Sequence, residues 1–90
     1  MPRPCKHRRI RCRPEVRYFK PRGIPMHQLE EIVIEKDELE AVKLADFDAL
    51  KHEEGAEKMN ISRATFGRIL EKGRKKIAES IIKGKAIRIN

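Results

Sequence analysis

The chain has 90 residues, of which 22 are Lys or Arg and 14 are Asp or Glu, and its formal net charge is +8. This length predicts a single domain, because a chain so short has little apolar surface to bury. No apolar run approaches the roughly 20 residues of a membrane span, and none resembles a signal-peptide core. We therefore expect a soluble, cytoplasmic protein whose excess of positive charge favours a polyanionic partner.

The charge is divided into three blocks along the chain. Residues 1–25 hold nine bases against Glu15, a net charge of +8, whereas residues 26–60 hold four bases against eleven acids, a net charge of −7. Residues 61–90 hold nine bases against two acids, a net charge of +7. We expect the positive charge to lie on particular surfaces, although the basic ends could simply neutralise the acidic middle.

Residues 1–25 are predicted to form an extended basic arm ahead of a helical domain at residues 26–90. The arm contains all five prolines of the chain, and each proline disfavours helix at the residue before it. Within the arm, residues 9–13 alternate basic and apolar side chains with the period of a strand, and residues 86–89 also predict a short strand. We expect these two segments to pair with each other or with a second subunit.

Three helices are predicted between these segments. The first begins at Asp37, because Glu40 three residues later completes an acidic capping box, and it runs to about Asp46. Its apolar stripe is Leu39, Val42, Leu44, Ala45 and Phe47. The apolar segment before it, Ile32 to Ile34, could be a helical turn or a strand. The second and third helices are predicted at about 52–59 and 63–83. Gly84 ends the third helix, whose apolar stripe is Phe66, Ile69, Leu70, Gly73, Ile77 and Ile81.

Residues 52–71 match the layout of a helix-turn-helix, in which the second of two short helices lies in the major groove of DNA. Ala56 is small where the two helices cross, Asn60 suits the left-handed backbone of the turn, and Ser62 caps the helix that follows. A helix pair with a small residue at the crossing also occurs in small helical domains without this function. The basic character of the second helix of this pair favours DNA binding.

The DNA-binding candidates lie mainly on the side of the third helix opposite its apolar stripe. Arg63 and Arg68 are candidates for base edges, because Arg bonds bidentately to guanine. Ser62 and Thr65 are candidates for a phosphate at the helix N-terminus. The complete set is Ser62, Arg63, Ala64, Thr65, Gly67 and Arg68, then Lys72, Lys75 and Lys76 towards the helix end, and Arg8, Arg9 and Arg11 in the arm. The arm is expected to track the phosphate backbone or to enter a minor groove.

Five segments carry a resemblance to a known family: MPRP with RRI, VRYFKPRGIP, LEEIVIEKDELEAVKLADFDAL, EEGAEKMNISRATFGRIL and GKAIRI. Together they resemble an uncharacterised family of small prokaryotic proteins predicted to bind DNA, whose helix-turn-helix is similar to that of region 4 of bacterial sigma factors. The resemblance implies that residues 52–71 read DNA, and it implies no enzymatic activity. Lys51, Gly55 and Asn60 differ from the residues usual at these positions, which implies a less stable second helix.

A metal site is the first alternative. Cys5, His7 and Cys12 have the order C-x-H-x4-C, and His27 or a second subunit could complete a tetrahedral zinc site. The spacing is unlike that of a zinc ribbon and no fourth ligand is evident nearby, so reduced, unligated thiols are the expected state. No cofactor is expected.

Catalysis and RNA binding are the remaining alternatives. The three histidines, His7, His27 and His52, lie far apart and no Gly-rich phosphate loop is present, so an enzyme is not expected. RNA or ribosome association is the alternative function, because Tyr18 and Phe19 in the basic arm could stack on unpaired bases.

A homodimer is expected, because a single module of this size covers few base pairs and because Ile77, Ile81 and Ile82 leave an apolar helix end. An effector ligand is left open. The sequence therefore predicts a mainly α-helical protein with a helix-turn-helix, an extended basic N-terminal arm and a short C-terminal β-strand. We expect it to act as a DNA-binding transcriptional regulator.

Overall fold

The computed structural model describes residues 9–12 and 14–90, which fold as three helices with a small three-stranded sheet. In chain order the elements are β1 (Tyr18–Phe19), β2 (Glu31–Ile34), α1 (Lys36–Val42), α2 (His52–Met59), α3 (Arg63–Lys83) and β3 (Ala86–Ile89). A 3₁₀ turn at Met26–Gln28 precedes β2, and a π-helical turn at Lys43–Phe47 continues α1. The described part of the chain is mainly helical, as predicted, and none of its helices is long and apolar enough to cross a membrane.

The sheet places β3 between β1 and β2. β3 runs antiparallel to β1, with Tyr18 opposite Arg88, and parallel to β2, with Ile34 opposite Ile89. Gly84, which has a positive φ of 66°, ends α3 just before β3. The predicted C-terminal strand is thus confirmed, and the undecided apolar segment before α1 is a strand.

The prediction that residues 9–13 pair with the C-terminal strand is wrong. In the segment that begins at Arg9, the N–H groups of Arg11 and Cys12 donate to the Glu40 side chain instead of to a neighbouring strand. The alternation that suggested a strand is real, because Ile10 and Cys12 are half-buried while Arg9 and Arg11 are exposed. It arises because one side of this segment packs against the protein, and β1 pairs with β3 in its place.

α1 begins one residue earlier than predicted and has a different cap. The N–H of Glu35 donates to Glu38 Oε1 at 2.9 Å, so the acid that satisfies the start of the helix is Glu38. The box predicted between Asp37 and Glu40 is therefore wrong. The side chain of Glu40 is buried instead, and the residue is only 2% exposed.

The π-helical turn redirects the apolar stripe of the first helix. At the end of this turn, the N–H of Asp48 donates to the carbonyl oxygen of Lys43, five residues earlier, at 2.8 Å. Because such a turn holds more residues than an α-helical one, the side chains that follow are rotated about the axis. Leu44 stays in the core at 3% exposure, whereas Phe47 is 82% exposed. The expected place of Phe47 in the apolar stripe is therefore wrong.

α2 and α3 have the bounds predicted from the sequence. Phe66 and Leu70 of α3 pack in the core with Met59 of α2. Near the end of α3, Ser80 takes the inward position and Ile81 is 73% exposed. Successive residues of a helix lie 100° apart, so an inward Ser80 turns Ile81 towards solvent. The assignment of Ile81 to the apolar stripe is therefore wrong.

Candidate nucleic-acid interface

A short turn joins α2 to α3 and fixes their relative orientation. Asn60 has the left-handed backbone expected of it (φ 60°, ψ 45°), and the N–H of Ile61 donates to the carbonyl oxygen of Ala56 at 3.0 Å. Ser62 Oγ accepts a hydrogen bond from the N–H of Thr65 at 3.1 Å, which caps α3. The predicted local roles of Asn60 and Ser62 are confirmed.

Gly55 allows α2 and α3 to approach closely. A methyl group at this position would overlap the Phe66 ring, and it would lie 2.7 Å from Cε1. The His52 ring lies beside the same phenyl group, with ring centroids 5.5 Å apart. The family resemblance implied only that Gly55 weakens α2. The structure gives this glycine a packing role, because it makes room for Phe66.

One side of α3 faces solvent from its first turn onwards. Exposed there are Ser62, Arg63, Ala64, Arg68, Glu71, Lys72 and Lys75, whereas Thr65 and Gly67 are half-buried. Residues 64, 68, 71 and 75 follow one another at three- and four-residue spacing, so they share a stripe. α3 continues through Gly67 without a break.

We name this surface the α3 face and define it by Arg63, Ala64, Arg68, Glu71, Lys72 and Lys75. It carries a net charge of +3, from four bases against Glu71. Arg68 Nη2 donates to Thr65 Oγ1 at 3.3 Å, which directs the guanidinium towards the first turn of α3. The α3 face thus combines exposed arginines with a capped helix N-terminus.

Two other bases of α3 are held by the protein. Lys76 Nζ lies 2.8 Å from Glu38 Oε1 and 2.8 Å from the carbonyl oxygen of Val33, so Lys76 is held by the protein and lies outside the α3 face, contrary to its place among the predicted DNA contacts. Arg74 donates to both carboxylate oxygens of Asp46, at 2.7 and 3.0 Å. This hydrogen bonding from Arg74 holds the pKa of Asp46 below its ordinary value.

The arm candidates lie beside α2. Arg9 and Arg11 are exposed, and the N–H of Arg9 donates to the carbonyl oxygen of Met59 at 3.1 Å. Arg8 lies outside the described residues. The arm therefore meets the end of α2 that leads into the turn before α3.

The proposed zinc ligands are only partly described. Cys5 and His7 lie outside the described residues, and Cys12 is a half-buried free thiol. Within residues 9–12 and 14–90, no three His, Cys, Asp or Glu side chains are grouped closely enough to hold a metal ion.

Two buried acids were missed from the sequence. Glu38 and Glu40 are 4% and 2% exposed, although neither belongs to the apolar stripe predicted for the first helix. The two acids are two residues apart, so they lie on nearly opposite sides of α1. Glu38 is covered by α3, where it pairs with Lys76, and Glu40 is covered by the arm, whose N–H groups it accepts from.

The chain belongs to the family described as "Protein of unknown function DUF134", whose model matches residues 1–90. This agrees with the resemblance to an uncharacterised family that the sequence suggested. No solved structure matches the chain.

Similar proteins occur in several bacteria. A UPF0251 protein of Desulfosudis oleivorans is 54% identical over 89 residues, which are 99% of this chain and 64% of that protein. A UPF0251 protein of Caldanaerobacter subterraneus subsp. tengcongensis is 51% identical over 89 residues, or 75% of its length. A third, from Pelotomaculum thermopropionicum, is 51% identical over 67% of its length. The chain thus spans about two thirds to three quarters of the length of these relatives.

Proposed function

We propose that this protein binds double-stranded DNA sequence-specifically and acts as a transcriptional regulator. In this proposal α2, the turn at Asn60 and α3 form a helix-turn-helix similar to region 4 of sigma factors, and α3 lies in the major groove. The observation that carries the proposal is the exposure of Arg63 and Arg68 on an unbroken helix whose opposite side is buried in the core. A rigid helix with its arginines exposed to solvent is the arrangement that reading base edges requires.

The residues of the interface have different roles. Arg68 and Arg63 read base edges, because a guanidinium can bond bidentately to the O6 and N7 atoms of guanine. Ser62 and Thr65 lie at the N-terminus of α3, where the helix dipole favours a phosphate. Lys72 and Lys75 supply attraction that does not depend on sequence, and the exposed Arg9 and Arg11 of the arm add to it.

We further propose that the protein acts as a homodimer. Ile81 and Ile82 are 73% and 81% exposed on the last turns of α3, and together they give this helix end an apolar surface. In a two-fold dimer the two recognition helices would meet half-sites about 34–36 Å apart.

The proposal is tested by binding to a duplex selected from a random pool, with fluorescence anisotropy as the readout. If about five phosphates are neutralised, the slope of log affinity against log salt is expected near −4 to −5. Structured RNA at matched salt is the competitor, because RNA association is the alternative function. A slope near zero, a preference for RNA, or the absence of any enriched duplex would contradict the proposal.

The division of roles is tested with two alanine variants. Arg68→Ala is expected to lose about 1–3 kcal/mol of discrimination between the selected duplex and single-base variants of it. Lys75→Ala is expected to weaken binding to all duplexes alike and to reduce the salt slope by about 1. Lys83→Ala, which removes the same charge about 22 Å along α3 from Arg68, is the control. Equal behaviour of the Arg68 and Lys75 variants would show that this division is wrong.

A further inference from the structure

Glu40 is a buried carboxylate that binds the backbone of the basic arm. It lies on α1, is 2% exposed, and its Oε1 accepts hydrogen bonds from the N–H groups of Arg11 at 2.9 Å and Cys12 at 2.7 Å. A buried carboxylate is costly unless its oxygens are hydrogen-bonded, and bonds from N–H groups to an ionised acceptor are among the stronger ones. The contact holds the main chain of the arm and leaves the Arg11 side chain exposed.

A second contact holds the same segment two residues earlier. The N–H of Arg9 donates to the carbonyl oxygen of Met59, the last residue of α2, at 3.1 Å. A carbonyl at the end of a helix has no partner within that helix, so the arm supplies one. Within four residues the arm is therefore fixed both to α1 and to the C-terminal end of α2.

These two contacts determine where residues 9–12 of the arm lie relative to the helices. Met59 is followed directly by the turn that leads into α3, so Arg9 lies at the end of α2 where the proposed recognition helix begins. The eight residues before Arg9 include Arg3, Lys6 and Arg8.

We propose that Glu40 is a positioning residue that holds the basic arm beside the N-terminal end of α3, so that both act on the same duplex. This inference rests on the proposed function. The arm then binds DNA at the effective concentration set by its tether, which adds affinity without any change in the α3 face. Glu40 itself does not touch DNA in this arrangement.

The test is Glu40→Gln, measured by duplex affinity. The substitution removes a negative charge, so electrostatics alone would strengthen binding to DNA. We expect instead a loss of about tenfold, because a neutral amide oxygen accepts hydrogen bonds more weakly than a carboxylate and holds the arm less firmly. Glu57→Gln makes the same charge change at an exposed position of α2 and is expected to bind as tightly as the unchanged protein, or more tightly. Unchanged or tighter binding by Glu40→Gln would overturn the proposal.

A second background shows whether the effect acts through the arm. In a protein with Arg3, Lys6 and Arg8 all replaced by Gln, Glu40→Gln is expected to cause little further loss of affinity. A full tenfold loss in that background would mean that Glu40 acts on the helices themselves, which would also overturn the proposal.

The anchor is measured without DNA by amide ¹⁵N relaxation and hydrogen exchange at Arg11 and Cys12. Both amides are expected to become more mobile and to exchange faster in Glu40→Gln, while circular dichroism reports whether the helices stay folded. If Glu40→Gln does not fold, Cys12→Pro removes one of the two donors from the arm and is expected to weaken duplex binding in the same direction. Unchanged amides would overturn the anchor, whereas a loosened arm in a protein that binds no duplex would overturn the proposed function instead.

Discussion

Single glycines decide how closely the helices of this protein approach one another. A Cβ at Gly55 would overlap the Phe66 ring, and a Cβ at Gly73 would lie 3.0 Å from Val42 Cγ2 on α1. A Cβ at Gly67, by contrast, would meet only a side-chain atom of the preceding helix at 4.0 Å. Three glycines within helices thus have different local environments, which cannot be ranked without the positions of their neighbours in the fold.

Gly55→Ala and Gly67→Ala form a matched pair of variants. Gly55→Ala is expected to lower the free energy of unfolding by about 1–3 kcal/mol, because overlap with Phe66 outweighs the better helix propensity of Ala. Gly67→Ala is expected to raise it by about 0.5–1 kcal/mol, because the new methyl group meets no close neighbour. Urea unfolding monitored by circular dichroism gives both values. Equal effects in the two variants would mean that the close contact at Gly55 is absent.

At the scale of the elements, an ion pair between Asp46 and Arg74 joins the π-helical turn to α3. Hydrogen bonds from Arg74 lower the pKa of the Asp46 carboxyl, so the pair contributes stability above the ordinary pKa of an aspartate, near 4. This contribution is lost as the pH falls through the lowered pKa of the folded protein. Both side chains are about half exposed, at 42% and 51%, so solvent screening keeps the contribution below about 1 kcal/mol.

Asp46→Asn is therefore expected to lower the free energy of unfolding at neutral pH. In acid, the variant and the unchanged protein are expected to have the same free energy of unfolding. The difference in the free energy of unfolding should be below about 1 kcal/mol at pH 7 and should vanish below the lowered pKa. Urea unfolding over a series of pH values from neutral to acid measures it. Glu57→Gln, which removes a carboxylate from an exposed position of α2, is the control. A difference that persists at the lowest pH would show that Asp46 acts through something other than its charge.

The sequence predicts elements well where their limits are set locally. α2 and α3 follow their predicted bounds because Asn60, Ser62 and Gly84 each act on the adjoining turn. The limits of α1 and the outward turn of Phe47 could not be predicted, because a π-helical turn leaves no clear pattern in the sequence. The pairing of β1 with β3 joins residues about 70 positions apart, and nothing local indicates such a partner.

The candidate site was only partly predictable for the same reason. The exposure of Arg63 and Arg68 follows from the period of α3, which the sequence contains. The side chain of Lys76 is held by hydrogen bonds to Glu38 and to the Val33 carbonyl oxygen. Both residues are distant from Lys76 in the sequence. The burial of Glu40 depends on the arm that crosses it.

Over the whole molecule, the acidic middle of the chain is partly neutralised within the fold. Four bases from residues 61–90 pair with acids of the middle: Arg74 with Asp46, Lys76 with Glu38, Lys85 with Glu30 and Arg88 with Glu31. The exposed bases of the α3 face and of the arm lie elsewhere on the surface. Some bases of the two basic ends therefore neutralise the acidic middle, while others lie on particular surfaces that face solvent.

The oligomeric state is tested at the end of α3. Replacing both Ile81 and Ile82 with Lys is expected to convert a dimer into a monomer, because it places charges on the apolar surface proposed to be shared. The helix is expected to stay folded, since both side chains are mostly exposed within one chain. Sedimentation equilibrium gives the molecular mass. Met26→Lys, at another exposed apolar position, is the control. The proposed dimer would be contradicted if the protein without substitutions were monomeric at every concentration measured.

Lys76, which lies outside the α3 face, covers part of the outer edge of the sheet. β2 is an outer strand with only β3 beside it, and outer strands present backbone groups to which another chain can add. Lys76 Nζ occupies the carbonyl of Val33 in this strand and is paired with Glu38 at the same time. A foreign strand approaching there would have to displace a charged group and break an ion pair, which disfavours the addition of another chain at this carbonyl.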